Sequence, residues 1–411
     1  MSRSGQFVPT VRVVGERRRR WLGLLGWTGL VVLAGCSGRD ESAGSAAAPL
    51  ARPTASTPAS EAPGTIVEVK PYADIDPSIR DLGAEALRVR YRSTSSDGQH
   101  SVVTGALFIP SGTPPSGGWP VLSHAHGTTG VTADCGPSSS PNLYGMAVVV
   151  VTYLKAGYAV AFTDYQGLGG DGKHVYLDNK TEGYNVIDAV RALRNAKPGV
   201  ISNRWVAVGN SQGGGASWSA AEQAPVYAPE LRLLGAVNAV PAANISGYAQ
   251  MAEDGAMTPI QSAAYVAMLI TQAWVHSDFD ADQYRRGSVK TNWDVLGSCK
   301  DLAARTAAAL QMKPDELKPA THEATLKLQA NLQALAVPQR KADAPMLVIY
   351  VGKDEYINPA WTKQAIEDAC KLGTKIDVDF QEDKSHNTFD ASHALDWLHD
   401  RLDGKPLPKS C

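Results

Sequence analysis

The 411-residue chain has no cysteines at zinc-binding spacing, no Cys-x-x-Cys motif, no internal repeat and no apolar run long enough to cross a bilayer. The cysteine pattern excludes a structural zinc module and a thioredoxin-type redox centre. The lack of a repeat excludes propellers and solenoids. A helical span needs about 20 apolar residues, and the run at residues 21–33 falls short of that. Strong charge is missing too. The formal net charge is −2, with Arg3, Arg12 and Arg17 to Arg20 set against Glu16 in the first 35 residues, so the remainder is mildly acidic at −7. Such a body offers no electrostatic footprint for nucleic acid. What is present is a 44% hydrophobic content, ample for a large buried core and too high for a disordered chain.

The N-terminus reads as an export signal. Basic residues 17–20 precede the apolar run, which ends in Leu33-Ala34-Gly35-Cys36. A basic segment followed by a short apolar one is the layout of a signal peptide, and the tetrapeptide resembles a bacterial lipobox. We therefore expect residues 1–36 to be a lipoprotein-type signal, with Cys36 as lipid anchor and membrane contact through it. An ordinary signal peptide with a coincidental Cys, and export by a twin-arginine system, are the competing readings. Residues 37–63, rich in Ser, Ala, Pro, Gly and Thr, read as a flexible linker. Export, whether to a membrane-anchored position facing the periplasm or cell exterior or into the medium, places the other cysteines where disulfides form. Four cysteines allow three pairings; the expected one is Cys135–Cys299 with Cys370–Cys411, the second tying down the C-terminal tail.

Beyond residue 64, short apolar strands alternate with helical patterns. Residues 87–93 and 101–110 have strand character around the turn signal Ser96-Asp97-Gly98; residues 119–125, 158–163, 204–209 and 233–239 are further short apolar runs. Residues 143–156 and 184–196 have helical spacing, with Val186, Ile187, Val190 and Leu193 on one face. Alternation of this kind implies a mostly parallel central sheet with helices on both faces. It stops at residues 245–338, where helical patterns at 257–276, 301–312 and 321–335 predict an inserted helical cap. It resumes with strands at 345–351 and 375–380 and helices at 360–372 and 392–402. The α/β core thus reads as two parts, residues 64–244 and 339–411.

The strongest chemical signal is Gly209-Asn210-Ser211-Gln212-Gly213, a G-x-S-x-G nucleophile elbow between a strand and a helix. A serine there sits on a sharp turn, and positions two residues away must be small. A serine hydroxyl needs a base to take its proton and a carboxylate to orient that base, in the chain order Ser, acid, His for this architecture. His386, in a loop, is the candidate base; His393 and His399 fall on a predicted helix. Asp354, just past a strand, is the candidate acid, with Glu355 and Asp383 as rivals. The oxyanion donors expected are the N–H of Gln212 and one from the Gly127-Thr128 turn, Thr128 ahead of Gly127. His124 and His126 suggest a metal pair, but no acidic or Cys cluster accompanies them, so no metal and no cofactor is expected.

Several of these segments resemble the secretory lipase family, the lipase-A-like α/β-hydrolase esterases. The carrying residues are Gly157-Tyr158-Ala159-Val160 leading into Asp164-Tyr165-Gln166-Gly167-Leu168-Gly169, the elbow with Gly214, and the Asp354 and His386 loops, over residues 65–405. The resemblance implies an α/β-hydrolase fold and hydrolysis of carboxylic esters, acylglycerols included, under the helical cap. Met251, Met257, Met268, Leu269, Ile270 and Trp274 of that cap would suit an acyl pocket. Two other readings are a serine peptidase of the same fold and a non-catalytic ligand-binding lipoprotein.

Overall fold

The computed structural model describes residues 61–407, 410 and 411. The expected export signal, Cys36 and nearly all of the expected linker lie outside the described residues. Nine strands form one sheet in the order β1-β2-β3-β5-β4-β6-β7-β8-β9. They are β1 (Ile66–Pro71), β2 (Glu85–Thr94), β3 (His100–Ile109), β4 (Trp119–Ala125), β5 (Ala159–Thr163), β6 (Ile201–Asn210), β7 (Arg232–Ala239), β8 (Met346–Lys353) and β9 (Ile376–Ser385). From β5 to β9 every neighbouring pair is parallel, and β1, β2 and β3 continue the sheet antiparallel. All five residues of β5 are buried, as expected of a strand covered on both faces.

Helices cover the two faces. On one lie α3 (Asn179–Ala196), α4 (Gln212–Tyr227) and α11 (Pro359–Lys371); on the other lie α1 (Pro77–Arg80), α2 (Ala147–Lys155) and α12 (Ala394–Leu402). The helix expected at residues 143–156 is broken. Leu143–Gly145 is a 3₁₀ turn with Tyr144 at φ 52°, and regular helix begins only at Ala147.

Between β7 and β8 the chain forms no strand. It folds instead into α5 (Tyr248–Asp254), α6 (Pro259–Val275), α7 (Gly287–Thr291), α8 (Trp293–Gly297), α9 (Leu302–Gln311) and α10 (His322–Ala334), with their own apolar core. Helix α6 starts on a capping box made by Thr258 and Gln261, with Pro259 in its first turn. The outgoing and returning ends of this excursion are tied together. Val337 N donates to Ala243 O at 2.8 Å, and Asn179 Nδ2 donates to Leu335 O at 3.1 Å and Ala242 O at 3.3 Å. Glu222 of α4, buried, accepts from Trp218 Nε1 at 3.0 Å and from Gln339 N on the returning segment at 3.0 Å.

Candidate active site

Strands β6, β7, β8 and β9 are consecutive and parallel, so their C-terminal ends share one edge of the sheet. In open α/β sheets that edge is where ligands bind. Ser211 follows β6, Asp354 follows β8 and His386 follows β9.

Ser211 has φ 58° and ψ −120°, a conformation an L-residue adopts only under constraint. Backbone hydrogen bonds supply that constraint. Ser211 N donates to Ala239 O at 2.9 Å, and Ser211 O accepts from Gly214 N at 2.9 Å and Ala242 N at 3.0 Å. The flanking glycines are required sterically. A Cβ on Gly213 would overlap the Ala125 carbonyl, and one on Gly209 would overlap the Gly213 carbonyl. Helix α4 begins at Gln212, so its unpaired N–H groups and the positive end of its dipole lie beside the Ser211 side chain.

His386 is 6% exposed, and its Nδ1 lies 2.9 Å from Asp354 Oδ2 and 3.0 Å from Oδ1. Asp354 Oδ1 also accepts from the N–H groups of Tyr356 and Ile357 at 2.9 and 2.8 Å, which fixes the carboxylate in its turn. The Tyr356 ring packs on the imidazole, centroids 4.7 Å apart. Glu355, a rival for the acid, accepts from the His386 backbone N–H at 3.0 Å and from Asn387 Nδ2 at 3.1 Å, so it holds the loop rather than the ring. Asp383 is exposed and pairs with Lys353. His393 immediately precedes α12, with its Nε2 3.6 Å from Asp379 Oδ2, and His399, within α12, stacks on Tyr158. Among the described residues no hydrogen bond joins the Ser211 hydroxyl to His386; contacts of this kind are often long before substrate arrives.

The turn after β4 carries Gly127 and Thr128. Thr128 Oγ1 shares a 2.8 Å hydrogen bond with Tyr176 OH, and Gly127 faces Asn210, the residue before the serine. A disulfide joins Cys135, a few residues further on, to Cys299 of the helical excursion, and a second joins Cys370 to Cys411. Around the first, Arg305 Nη1 donates to Thr129 O at 3.3 Å and Cys299 N donates to Asp134 Oδ2 at 2.8 Å. The cluster of Asp134, Cys135 and Cys299 has its sulfurs consumed by that bond. His124 and His126 are buried among aromatic rings, and burial pushes their pKa values down to about 3 and about 4, which keeps both neutral.

Sequence reading passed over a second group of buried polar side chains directly behind the elbow: His174, Glu182 and the side chain of Gln212. Glu182 lies on the α3 face that carries Val186, Ala189 and Leu193. A carboxylate within an apolar stripe is the one signal that could have revealed it.

The sheet order, the strained serine after β6 and the His–Asp pair after β8 and β9 define the α/β-hydrolase class. Solved structures share this fold. Candida antarctica lipase A in its closed state superposes with a TM-score of 0.70 at 16% identity, covering 86% of either chain. The rice cell wall degrading esterase LipA of Xanthomonas oryzae superposes with a TM-score of 0.64 at 16% identity, covering 84% of this chain and all of that one. The chain belongs to the secretory lipase family, whose profile matches residues 143–410, and it is a carboxylic ester hydrolase. Among its relatives, lipase A of Arthroderma benhamiae is 24% identical, covering 80% of this chain and 73% of the relative. A protein of Mycobacterium tuberculosis described as a probable inactive lipase is 25% identical, covering 84% and 80%.

Proposed function

We propose that the chain hydrolyses carboxylic esters, acylglycerols among them, through a Ser211–His386–Asp354 triad and an acyl-enzyme intermediate. The observation that carries this reading is the His386–Asp354 pair at 2.9 Å on the sheet edge where Ser211 is held at φ 58°. Asp354 fixes the imidazole as the Nδ1–H tautomer and leaves Nε2 with a lone pair. That lone pair takes the Ser211 proton as Oγ attacks the ester carbonyl, and the imidazolium is stabilised by the Asp354 carboxylate. The N–H of Gln212 and one from Thr128 or Gly127 receive the oxyanion. His386 then protonates the leaving alcohol, and a water deprotonated by His386 releases the acid and restores Ser211. Residues 245–338 act as the cap over this site.

Turnover of p-nitrophenyl butyrate by Ser211→Ala tests the reading. The expected result is loss of turnover with an unchanged melting temperature; appreciable remaining activity overturns the triad. The inactive label on the Mycobacterium relative gives the non-catalytic reading a foothold. Stoichiometric labelling of Ser211 by a fluorophosphonate removes it.

We also propose that the protein is exported and held at a membrane through lipid-modified Cys36. Membrane partitioning should be lost in Cys36→Ser; retention in the membrane fraction sinks the anchor.

A further inference from the structure

The Asp164–Gly169 turn contributes no side chain to the triad, yet two chains of contacts run from it to the two sides of the proposed oxyanion hole. Tyr165 is a non-glycine residue at φ 69°, fully buried. Its hydroxyl donates to the His126 carbonyl at 2.9 Å, and its ring packs on the His126 ring with centroids 4.4 Å apart. His126 immediately precedes Gly127 and Thr128. The Tyr165 ring also stacks near-parallel to His174, centroids 6.2 Å apart.

The second chain starts one residue on. His174 Nδ1 lies 2.9 Å from the Gln166 carbonyl, which can only accept, so Nδ1 carries the proton. Burial pushes His174 down to about 3, so the ring is neutral and its Nε2 is an acceptor. Gln212 Nε2 lies 3.0 Å from that Nε2 and 2.7 Å from Glu182 Oε1, and its two N–H groups satisfy both. Glu182 Oε1 also accepts from Leu177 N at 3.1 Å. Reversing the Gln212 amide would set its oxygen against the His174 lone pair, so the orientation is determined. His174, Glu182 and Gln212 are each no more than 1% exposed. They form a polar unit in an apolar setting in which Gln212 Oε1 and Glu182 Oε2 are already buried without a partner, so losing a further one is costly.

We propose that Tyr165 and the Gln166–His174–Gln212–Glu182 chain are positioning residues that set the spacing of the two oxyanion donors. One arm holds the backbone entering Gly127-Thr128, the other holds the residue whose N–H follows the nucleophile, and the Tyr165 ring, in contact with both His126 and His174, couples them. Oxyanion donors act only when aimed at where charge develops, and small displacements of reacting groups are expensive. This inference rests on the Ser211 reading.

The test compares Tyr165→Phe, Gln212→Met, Glu182→Leu and Glu182→Gln with wild type. Readouts are kcat and KM on p-nitrophenyl butyrate, melting temperature, and inhibition by a phenylboronic acid, whose tetrahedral adduct places an oxygen in the hole. Complete loss of a donor costs about 10²–10³ in kcat, so mere misalignment should cost about ten- to a hundredfold. We expect that fall in kcat for Tyr165→Phe, Gln212→Met and Glu182→Leu, with KM within about twofold and boronate affinity falling in step. Glu182→Gln, which keeps an oxygen acceptor, should recover most of the loss. Tyr165→Phe removes a single oxygen and keeps the ring, so it remains decisive even if the others fold poorly. Unchanged kcat in Tyr165→Phe, or boronate affinity that does not follow kcat, overturns the proposal. If Ser211→Ala stays active, the triad fails; if Ser211→Ala is dead while these variants are unaffected, only the positioning role fails.

Discussion

His386 Nδ1 stands 2.9 Å from Asp354 Oδ2, and Asp354 Oδ1 is tied to two backbone amides in its own turn. The ring is thus aligned by a carboxylate that is itself immobilised. Asp354→Asn should preserve the packing but present an amide to the imidazole and favour the wrong tautomer. We expect kcat to fall on the order of 10³–10⁴-fold with little change in melting temperature. A loss under tenfold would remove Asp354 from the triad.

Glu355 holds the His386 backbone and Asn387. Its removal should loosen the loop without altering ring chemistry. Glu355→Ala is expected to lower kcat by no more than about ten- to a hundredfold, as a hydrogen bond to a charged group is worth about 1.5–3 kcal/mol. Steady-state kinetics of Glu355→Ala and Asp354→Ala side by side would check the ranking, with Asp354→Ala the more damaged.

The disulfides close loops of very different length, with sequence separations of 164 for Cys135–Cys299 and 41 for Cys370–Cys411. Chain entropy alone assigns about 5 and about 4 kcal/mol to them, too close for stability to distinguish their roles. Activity should distinguish them. Cys135 lies close to the Gly127-Thr128 turn, whereas Cys411 N donates to Ile376 O at the start of β9, the opposite end of that strand from His386. Replacing Cys135 and Cys299 by Ser together should lower kcat as well as melting temperature; the Cys370 and Cys411 double replacement should lower melting temperature alone. Esterase assays at a temperature where both variants are folded would decide.

Glu222 offers a pH test. Burial outweighs its hydrogen bonds to Gln339 N and Trp218 Nε1 and pushes its carboxyl up to about 7 from an ordinary 4.5. Between those values the folded protein binds more protons than the unfolded chain, so stability falls as pH rises. The loss begins near pH 4.5 and is complete a little above 7. Glu222→Gln carries no ionisation, so its stability should change less steeply across this window, whatever constant offset the lost acceptor adds. Urea midpoints at pH 5 and pH 8 measure the slope, and equal slopes in both proteins would refute the assignment.

Much of this architecture could be read from the chain because central strands are short, apolar and bounded by turn signals. The run at 119–125 coincides with β4, and the elbow's strand and helix stand where Gly209 and Gly213 demand them. Edges were harder. Strand β1 is six residues long with most of its side chains exposed, and the second half of β9, Gln381 to Ser385, is polar. Neither carries the apolar signature of a buried strand, so the pattern does not mark β1 and ends β9 at residue 380. Short helices such as α7 and α8 have too few turns to show a period. The unit of His174, Glu182 and Gln212 was invisible for another reason. Its members come from separate segments, and only folding brings their polar atoms within 3.0 Å.

The helical excursion leaves the sheet after β7 and returns before β8 through backbone segments already bonded to each other, Val337 to Ala243. It therefore behaves as a cassette on a pre-closed hinge. A different helical piece grafted between these two points would inherit the closed hinge, but it would have to bring its own partner for Cys135, because Cys299 of the excursion is a covalent tie to the segment beside the Gly127-Thr128 turn.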